Sequence, residues 1–220
     1  MHSAAPVLFF DFDNTVTQGD VLDRVVERYS ASEAWRAWEA QWQAGAMTTV
    51  DCLERQVGDL RASLSELCEF VATTVIDPAF PNIVQWARER GIDVHIVSDN
   101  FVPLIEAILR TKRLGGMRVS ANELFCADGR LQPRFPLRDA ACERCAHCKA
   151  QHLRAVAARP RIFVGDGLSD VCPALVADVV FAKDSLATEL ARRRVTFRPY
   201  GSLDAVLQYL EAQHWMSLAR

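Results

Sequence analysis

The chain has 220 residues, half of them hydrophobic and 24% charged, with a mean hydropathy near zero. That is the profile of a globular protein with a sizeable core, large enough for one domain with an insertion or for two modest domains. A formal net charge of -3 at pH 7 gives no electrostatic footprint for nucleic acid or an anionic membrane, so neither is expected as a partner.

The N-terminal run MHSAAPVLFF carries no positive leader and stops at Asp11. It is too short for a signal peptide or a membrane span, and a cytoplasmic protein is expected. Residues 7 to 10, VLFF, read as a buried strand that ends in two aspartates at alternate positions, Asp11 and Asp13. Strand residues two apart share a face, so both carboxylates look toward one spot at the strand's carboxyl end.

Residues 20 to 76 read as successive amphipathic helices without a strand, bounded by Gly19 and by Asp77-Pro78. They are predicted to form a helical cap (19–77) inserted into a core made of 1–18 and 78–220. Trp35, Trp38 and Trp42 fall on one helical face within it and read as an aromatic stripe packed inside the insertion. Beyond it, residues 81–90 and 101–110 read as helices. IDVHIVS up to Ser98, RIFVG before Asp166 and VVFA before Lys183 read as strands. This alternation predicts an α/β fold: a Rossmann-like parallel sheet with helices on both faces and ligands beyond the carboxyl ends of the strands. His95 lies inside one of these strands and reads as a core histidine. The basic run Arg192 to Arg194 reads as a solvated helix end.

The polar residues at the strand ends form a chemical set: Asp11 and Asp13, Ser98, Lys149, then Asp166 and Asp170 in GDGLSD. Ionised carboxylates repel one another unless a cation joins them. All-oxygen donors suit a hard divalent ion, Mg²⁺ in the first place, held by Asp11, Asp13, Asp166 and Asp170. Lys149, Ser98 and nearby backbone N–H groups would hold a phosphate dianion. Asp11 is then placed to attack phosphorus, and Asp13 to protonate the leaving alcohol and activate water.

With DFDNT, Ser98, Lys149 and GDGLSD, the sequence resembles the haloacid dehalogenase-like phosphatase superfamily. The resemblance implies Mg²⁺ dependence and phosphoryl transfer through an aspartyl-phosphate, with Asp11 as nucleophile, Asp13 as acid/base, Asp166 as metal ligand and Asp170 as a supporting carboxylate. The insertion between the first and second motifs is similar to the small helical cap of the phosphoserine phosphatase-like branch. There, Asp20 stands where a glutamate faces the substrate amine. Gln56 occupies the position of an arginine that holds the substrate carboxylate, and the second motif reads Ser98-Asp99-Asn100 in place of Ser-Gly-Gly. The stretches CERCAHCK and FAKD resemble the methionine-salvage subgroup acting on 2-hydroxy-3-keto-5-methylthiopentenyl-1-phosphate. They also resemble phosphocholine/phosphoethanolamine phosphatases, which share the Ser98-Asp99 start of motif two. Ser98, Asp99 and Lys149 are thus expected at the substrate phosphate, and Asp20 and Gln56 at the determinants of specificity. The rivals are a phosphotransferase on the same core and a catalytically silent, zinc-stabilised binding module.

Seven cysteines without a secretory signal argue for reduced thiols. Cys142, Cys145 and Cys148, with Cys126 or His147 as a fourth ligand, have a spacing that can hold a structural zinc. A loop of free thiols fits the same segment, and both readings stand. His152, three residues past Lys149, has no required role.

Overall fold

The computed structural model describes residues 5–139, 142, 144–213 and 215. The chain opens with β1 (Val7–Phe10) and enters a helical insertion of α1 (Val21–Tyr29), α2 (Ala34–Gln43), α3 (Thr49–Asp59) and α4 (Leu64–Val71). It continues through α5 (Phe80–Glu89), β2 (Asp93–Phe101), α6 (Val102–Thr111), β3 (Arg118–Ala127) and β4 (Arg130–Arg134). The remainder is α7 (Lys149–Ala155), β5 (Arg161–Gly165), α8 (Val171–Ala174), β6 (Val179–Ala182), α9 (Asp184–Arg192), β7 (Arg198–Pro199) and α10 (Leu203–Ala212).

The sheet has the order β4-β3-β2-β1-β5-β6-β7 and is parallel except for β4, which pairs antiparallel with β3. Side-chain alternation along β1 explains its central place. Leu8 and Phe10 enter an apolar cluster with α5, α6 and α10, whereas Val7 and Phe9 enter another with α7, α8 and α9. A strand buried on both faces must read as a continuous apolar run, and VLFF does. The chain builds outward on one side of β1 as far as β4, then returns to the other side with β5. The crevice between β2 and β5, above the end of β1, is therefore a topological switch point, where open α/β sheets place their ligands.

The helices of the insertion carry local start signals. Asp20 caps α1 by accepting from Asp23 N at 2.9 Å, and Thr48 caps α3. Ser63 and Glu66 form a reciprocal capping box on α4. Prolines in the first turns of α5 and α6 occupy positions whose N–H would have no helical partner. The insertion leaves and rejoins the core at one place. Thr17 and Ile76 form an isolated antiparallel bridge, with Gln18 N on Val75 O at 2.9 Å and Asp77 N on Val16 O at 2.8 Å.

Two expectations need correction. The tryptophan stripe of α2 is not a packed interior, since no α2 residue is buried. Trp35 packs against the main core from outside, and Trp42 lines the pocket described below. The sequence also marks no strand between residues 111 and 160, where the β3–β4 hairpin lies. Asp128 and Gly129, with φ of 51° and 72°, make the two-residue turn that joins Ala127 to Arg130. Arg118, Glu123, Arg130 and Arg134 interrupt its apolar alternation at the sheet edge, where a strand needs little burial.

Candidate active site

Beyond β1 the backbone keeps one more sheet contact, Asp11 N to Val164 O at 2.9 Å, and then turns. The carbonyl of Phe12 accepts from the N–H groups of Thr15, Val16 and Thr17, and Asn14 takes a positive φ of 54°. The ring of Phe12 goes into the core. Asp11 and Asp13, on either side of it, face the pocket.

Lys149, the first residue of α7, brings its ammonium to the same point. Its Nζ lies 2.6 Å from Asp11 Oδ1, 2.7 Å from Asp170 Oδ1 and 3.2 Å from Ser169 Oγ. Burial works against this charge, but Asp11, Asp170 and Asp99 outweigh it and hold the ammonium well above the ordinary lysine range. The turn after β5 is organised around Asp170, whose Oδ2 accepts from the N–H groups of Asp166 and Gly167 at 2.9 and 3.1 Å. A Cβ on Gly165 would run into that carboxylate, so the strand must end in glycine for the turn to close. Thr15 Oγ1 donates to Asp166 Oδ1 at 2.8 Å, tying the turn after β1 to the turn after β5.

Along β2, Ser98 is buried, and its Oγ accepts from Asn100 N at 3.0 Å. Asp99 points to the loop ahead of α7, where its Oδ1 accepts from Ala146 N and His147 N at 2.7 and 2.6 Å. Its other oxygen stands 3.9 Å from Lys149 Nζ. Asn100, which sequence reasoning did not single out, donates from Nδ2 to both oxygens of Asp13 at 3.1 and 3.0 Å. Asp13 Oδ1 also accepts from Val21 N at 2.8 Å, so the acid is fastened to the first turn of the insertion.

Burial and mutual repulsion raise the proton affinity of these carboxylates. Asp11 is pushed well above the usual range by burial first, then by Asp170. Asp13 is raised to about 7 by burial and by Asp20, and Asp166 to about 7 by burial and by Asp170.

Asp11, Asp166 and Asp170 each offer a carboxylate oxygen, and these oxygens lie within 4.8 Å of one another. All three residues are buried, and the donors include no nitrogen or sulfur. Together with Asp13 and Asp99, five carboxylates gather around the ammonium of Lys149, an excess of negative charge that a hard divalent cation would balance. The residues present therefore fit Mg²⁺. The carboxylate of Asp13 stands outside the group of three, on Val21 N and Asn100.

The insertion supplies the other wall of a cavity of about 460 Å³. Asp20 and Gln56, expected to shape specificity, both line it, as do Asp23, Glu39 and Trp42. Gln56 is buried. Asp20 is raised to about 7 and Asp23 to about 6, in both cases by burial first and then by neighbouring carboxylates. Trp42 donates from Nε1 to Thr49 Oγ1 at 2.8 Å, which fixes its ring. Asp23 and Glu39 carry no local sequence signal, because only the packing of the insertion helices, α2 on α3 and α1 on α4, turns them toward the pocket.

Of the cysteines considered for zinc, Cys142 and Cys145 come together, with their sulfurs 2.9 Å apart. Cys126 is exposed on β3 and Cys148 caps the start of α7. The third thiol of the group is Cys172, on α8.

Fold and site together define a hydrolase of the phosphatase type built on a mostly parallel sheet, with an acidic centre at the switch point and a helical insertion over it. The haloacid dehalogenase-like hydrolase profile matches residues 8–174, and the chain belongs to that family. It is 28% identical over 216 residues to the 2-hydroxy-3-keto-5-methylthiopentenyl-1-phosphate phosphatase of Brevibacillus brevis, covering 94% of this chain and 97% of that one. The protein of the same name in Geobacillus kaustophilus is also 28% identical, over 93% of this chain and 95% of its own. Among solved structures, a phospho-aspartyl intermediate analogue of phosphoserine phosphatase superposes with a TM-score of 0.73. It covers 94% of this chain and 99% of that one at 18% identity, a likeness of fold. Among the described residues no helix is long and apolar enough to cross a membrane.

Proposed function

We propose that the protein is a Mg²⁺-dependent phosphomonoesterase acting on a small metabolite through a phosphorylated Asp11. The observation that carries this reading is the convergence on one point of Asp11, the Lys149 ammonium and the Asp166–Asp170 turn. Asp11, Asp166 and Asp170 would hold the metal, which would neutralise the phosphoryl oxygens and the excess carboxylate charge. Lys149, Ser98 and the backbone around it bind the phosphate, while Asp99 holds the loop that delivers Lys149.

Asp11 Oδ attacks phosphorus, the bond to the alcohol oxygen breaks, and Asp13 gives that oxygen its proton. Asp13 then takes a proton from water as the water oxygen attacks phosphorus and the bond to Asp11 breaks, releasing inorganic phosphate. A pKa of about 7 for Asp13 suits a group that must both give and take a proton near neutrality. The insertion covers the pocket and limits bulk water.

The relatives named above make 2-hydroxy-3-keto-5-methylthiopentenyl-1-phosphate the leading candidate substrate. A second reading rests on the insertion wall. Asp20, Asp23, Glu39 and Trp42 favour a cationic alcohol, as in phosphocholine or phosphoethanolamine, because a cation would relieve the crowded carboxylates and stack on the indole. Glu39 and Asp20 disfavour an anionic tail such as that of phosphoserine.

The test is phosphate release from these four monoesters, with Mg²⁺ and with a chelator, by the native chain and by Asp11→Asn. The expected result is Mg²⁺-dependent release of inorganic phosphate from one compound, lost by at least about 10³-fold in a folded Asp11→Asn variant. Native-like turnover in that variant would overturn the mechanism, and transfer to an acceptor without free phosphate would replace hydrolysis by phosphotransfer.

A further inference from the structure

Behind the pocket, the irregular segment between β4 and α7 meets the short helix α8. Cys142 and Cys145 lie on that segment, ahead of Lys149, and Cys172 lies on α8, two residues beyond Asp170. The three sulfurs are all within 4.8 Å of one another, and Cys145 is buried. The acidic centre uses none of them, and the spacing of cysteines near Lys149 does not reveal the participation of Cys172, because 26 residues of sequence separate it from Cys145.

We propose that Cys142, Cys145 and Cys172 bind a structural Zn²⁺ that fastens the Lys149 segment to the Asp166–Asp170 turn. Three thiolates are a soft donor set that selects zinc over the hard ion of the neighbouring carboxylates. With Zn–S bonds of about 2.3 Å in a tetrahedron, the sulfurs would stand roughly 3.8 Å apart. That lies inside the observed limit, and the Cys142–Cys145 pair would open slightly from its 2.9 Å. As each bond forms, a thiol loses its proton to solvent. The charges of Arg154 and Arg193 act on Cys172 and offset the excess of thiolate charge.

The site has a mechanical purpose. From Phe135 to Cys148 the chain has no regular element among its described residues. Its backbone anchors there include Cys148 N on Leu137 O and the two N–H groups held by Asp99. A long irregular stretch that must place one ammonium against two carboxylates gains most from a cross-link to a distant element. A disulfide could join only two of the three thiols, whereas a metal engages all three at once.

The experiment is metal analysis of the native chain produced with zinc in the medium, together with Co²⁺ replacement and thermal unfolding. One zinc per chain is expected, with the visible absorption of tetrahedral thiolate-bound cobalt after exchange. Both should fall to background in Cys145→Ser and in Cys172→Ser and persist in Cys126→Ser. Stripping zinc from the native chain should lower the melting temperature, and Zn²⁺ but not Mg²⁺ should restore it. These readings on the native chain hold even where a cysteine variant fails to fold. A native chain without zinc and without the cobalt absorption overturns the proposal, as does a Cys142–Cys145 disulfide in the isolated protein.

Discussion

The two walls of the pocket are both acidic, yet they treat their charge differently. On the sheet side each carboxylate has a fixed partner. Asp11 has Lys149, Asp170 has Lys149 and two backbone N–H groups, Asp166 has Thr15, and Asp13 has Val21 N and Asn100. On the insertion side, Asp20 caps its own helix and Glu39 accepts from Gln43. Among the described residues no lysine or arginine forms an ion pair with Asp20, Asp23 or Glu39. A wall whose carboxylates each have a fixed partner is built to keep its geometry. A wall whose charges crowd one another is built to receive something.

Removing the internal pairing should have the largest effect. Lys149→Met leaves buried carboxylates without their ammonium, and the unfolding free energy should fall by about 3 kcal/mol in denaturant titrations. Turnover should fall by at least about 10²-fold as the phosphate loses a charged donor. An unchanged stability would show that Lys149 does not balance the sheet-side charge. The insertion side should respond in the opposite sense. Asp20→Asn combined with Glu39→Gln should leave stability unchanged or slightly raised, because repulsion is removed. If the substrate alcohol is cationic, KM should rise about 5–10-fold with kcat nearly constant. For an uncharged alcohol KM should stay level, which would assign the acidic wall another occupant.

The smallest effect concerns the sheet interior. His95 is buried against Phe9 with ring centroids 4.8 Å apart, and burial lowers its pKa to about 4. Between pH 6.5 and 4 the unfolded chain binds this proton and the folded chain does not, so His95 costs stability as pH falls through that window. The stability of the native chain relative to His95→Gln should therefore drop by about 1–2 kcal/mol from pH 7 to pH 5. A difference that does not change with pH would mean that the imidazole is charged or solvated in the fold.

The sheet wall was the more legible of the two in the sequence, for a physical reason. Asp11, Asp13 and Asp166 come directly after short apolar strands, which fixes the end of the sheet where they lie, and Asp170 follows in the turn after β5. Lys149 and Ser98 gain meaning only beside them. Asp23, Glu39 and the ring of Trp42 reach the pocket through helix-on-helix packing, which a 3.6-residue pattern does not locate. That is also why a tryptophan stripe resembling an interior turned out to face a cavity. The β3–β4 hairpin was legible in principle from Asp128-Gly129, but edge strands with alternating charged residues lack the apolar run that marked the central ones. Cys172 was invisible as a partner, because its neighbours in space are set by the packing of α7 on α8.

The stitched stalk of the insertion has a consequence of its own. Chain leaves the core after Val16 and re-enters at Asp77 across a gap closed by two backbone hydrogen bonds of 2.8 and 2.9 Å. The core therefore carries a socket. Whatever is plugged between these two points can change in length or composition at only a slowly growing cost in loop entropy, without shifting the register of β1. One of the threads that cross the socket is Val21 N on Asp13, so a replacement plug would inherit the nucleophile intact and would have to supply afresh that part of the grip on its proton carrier.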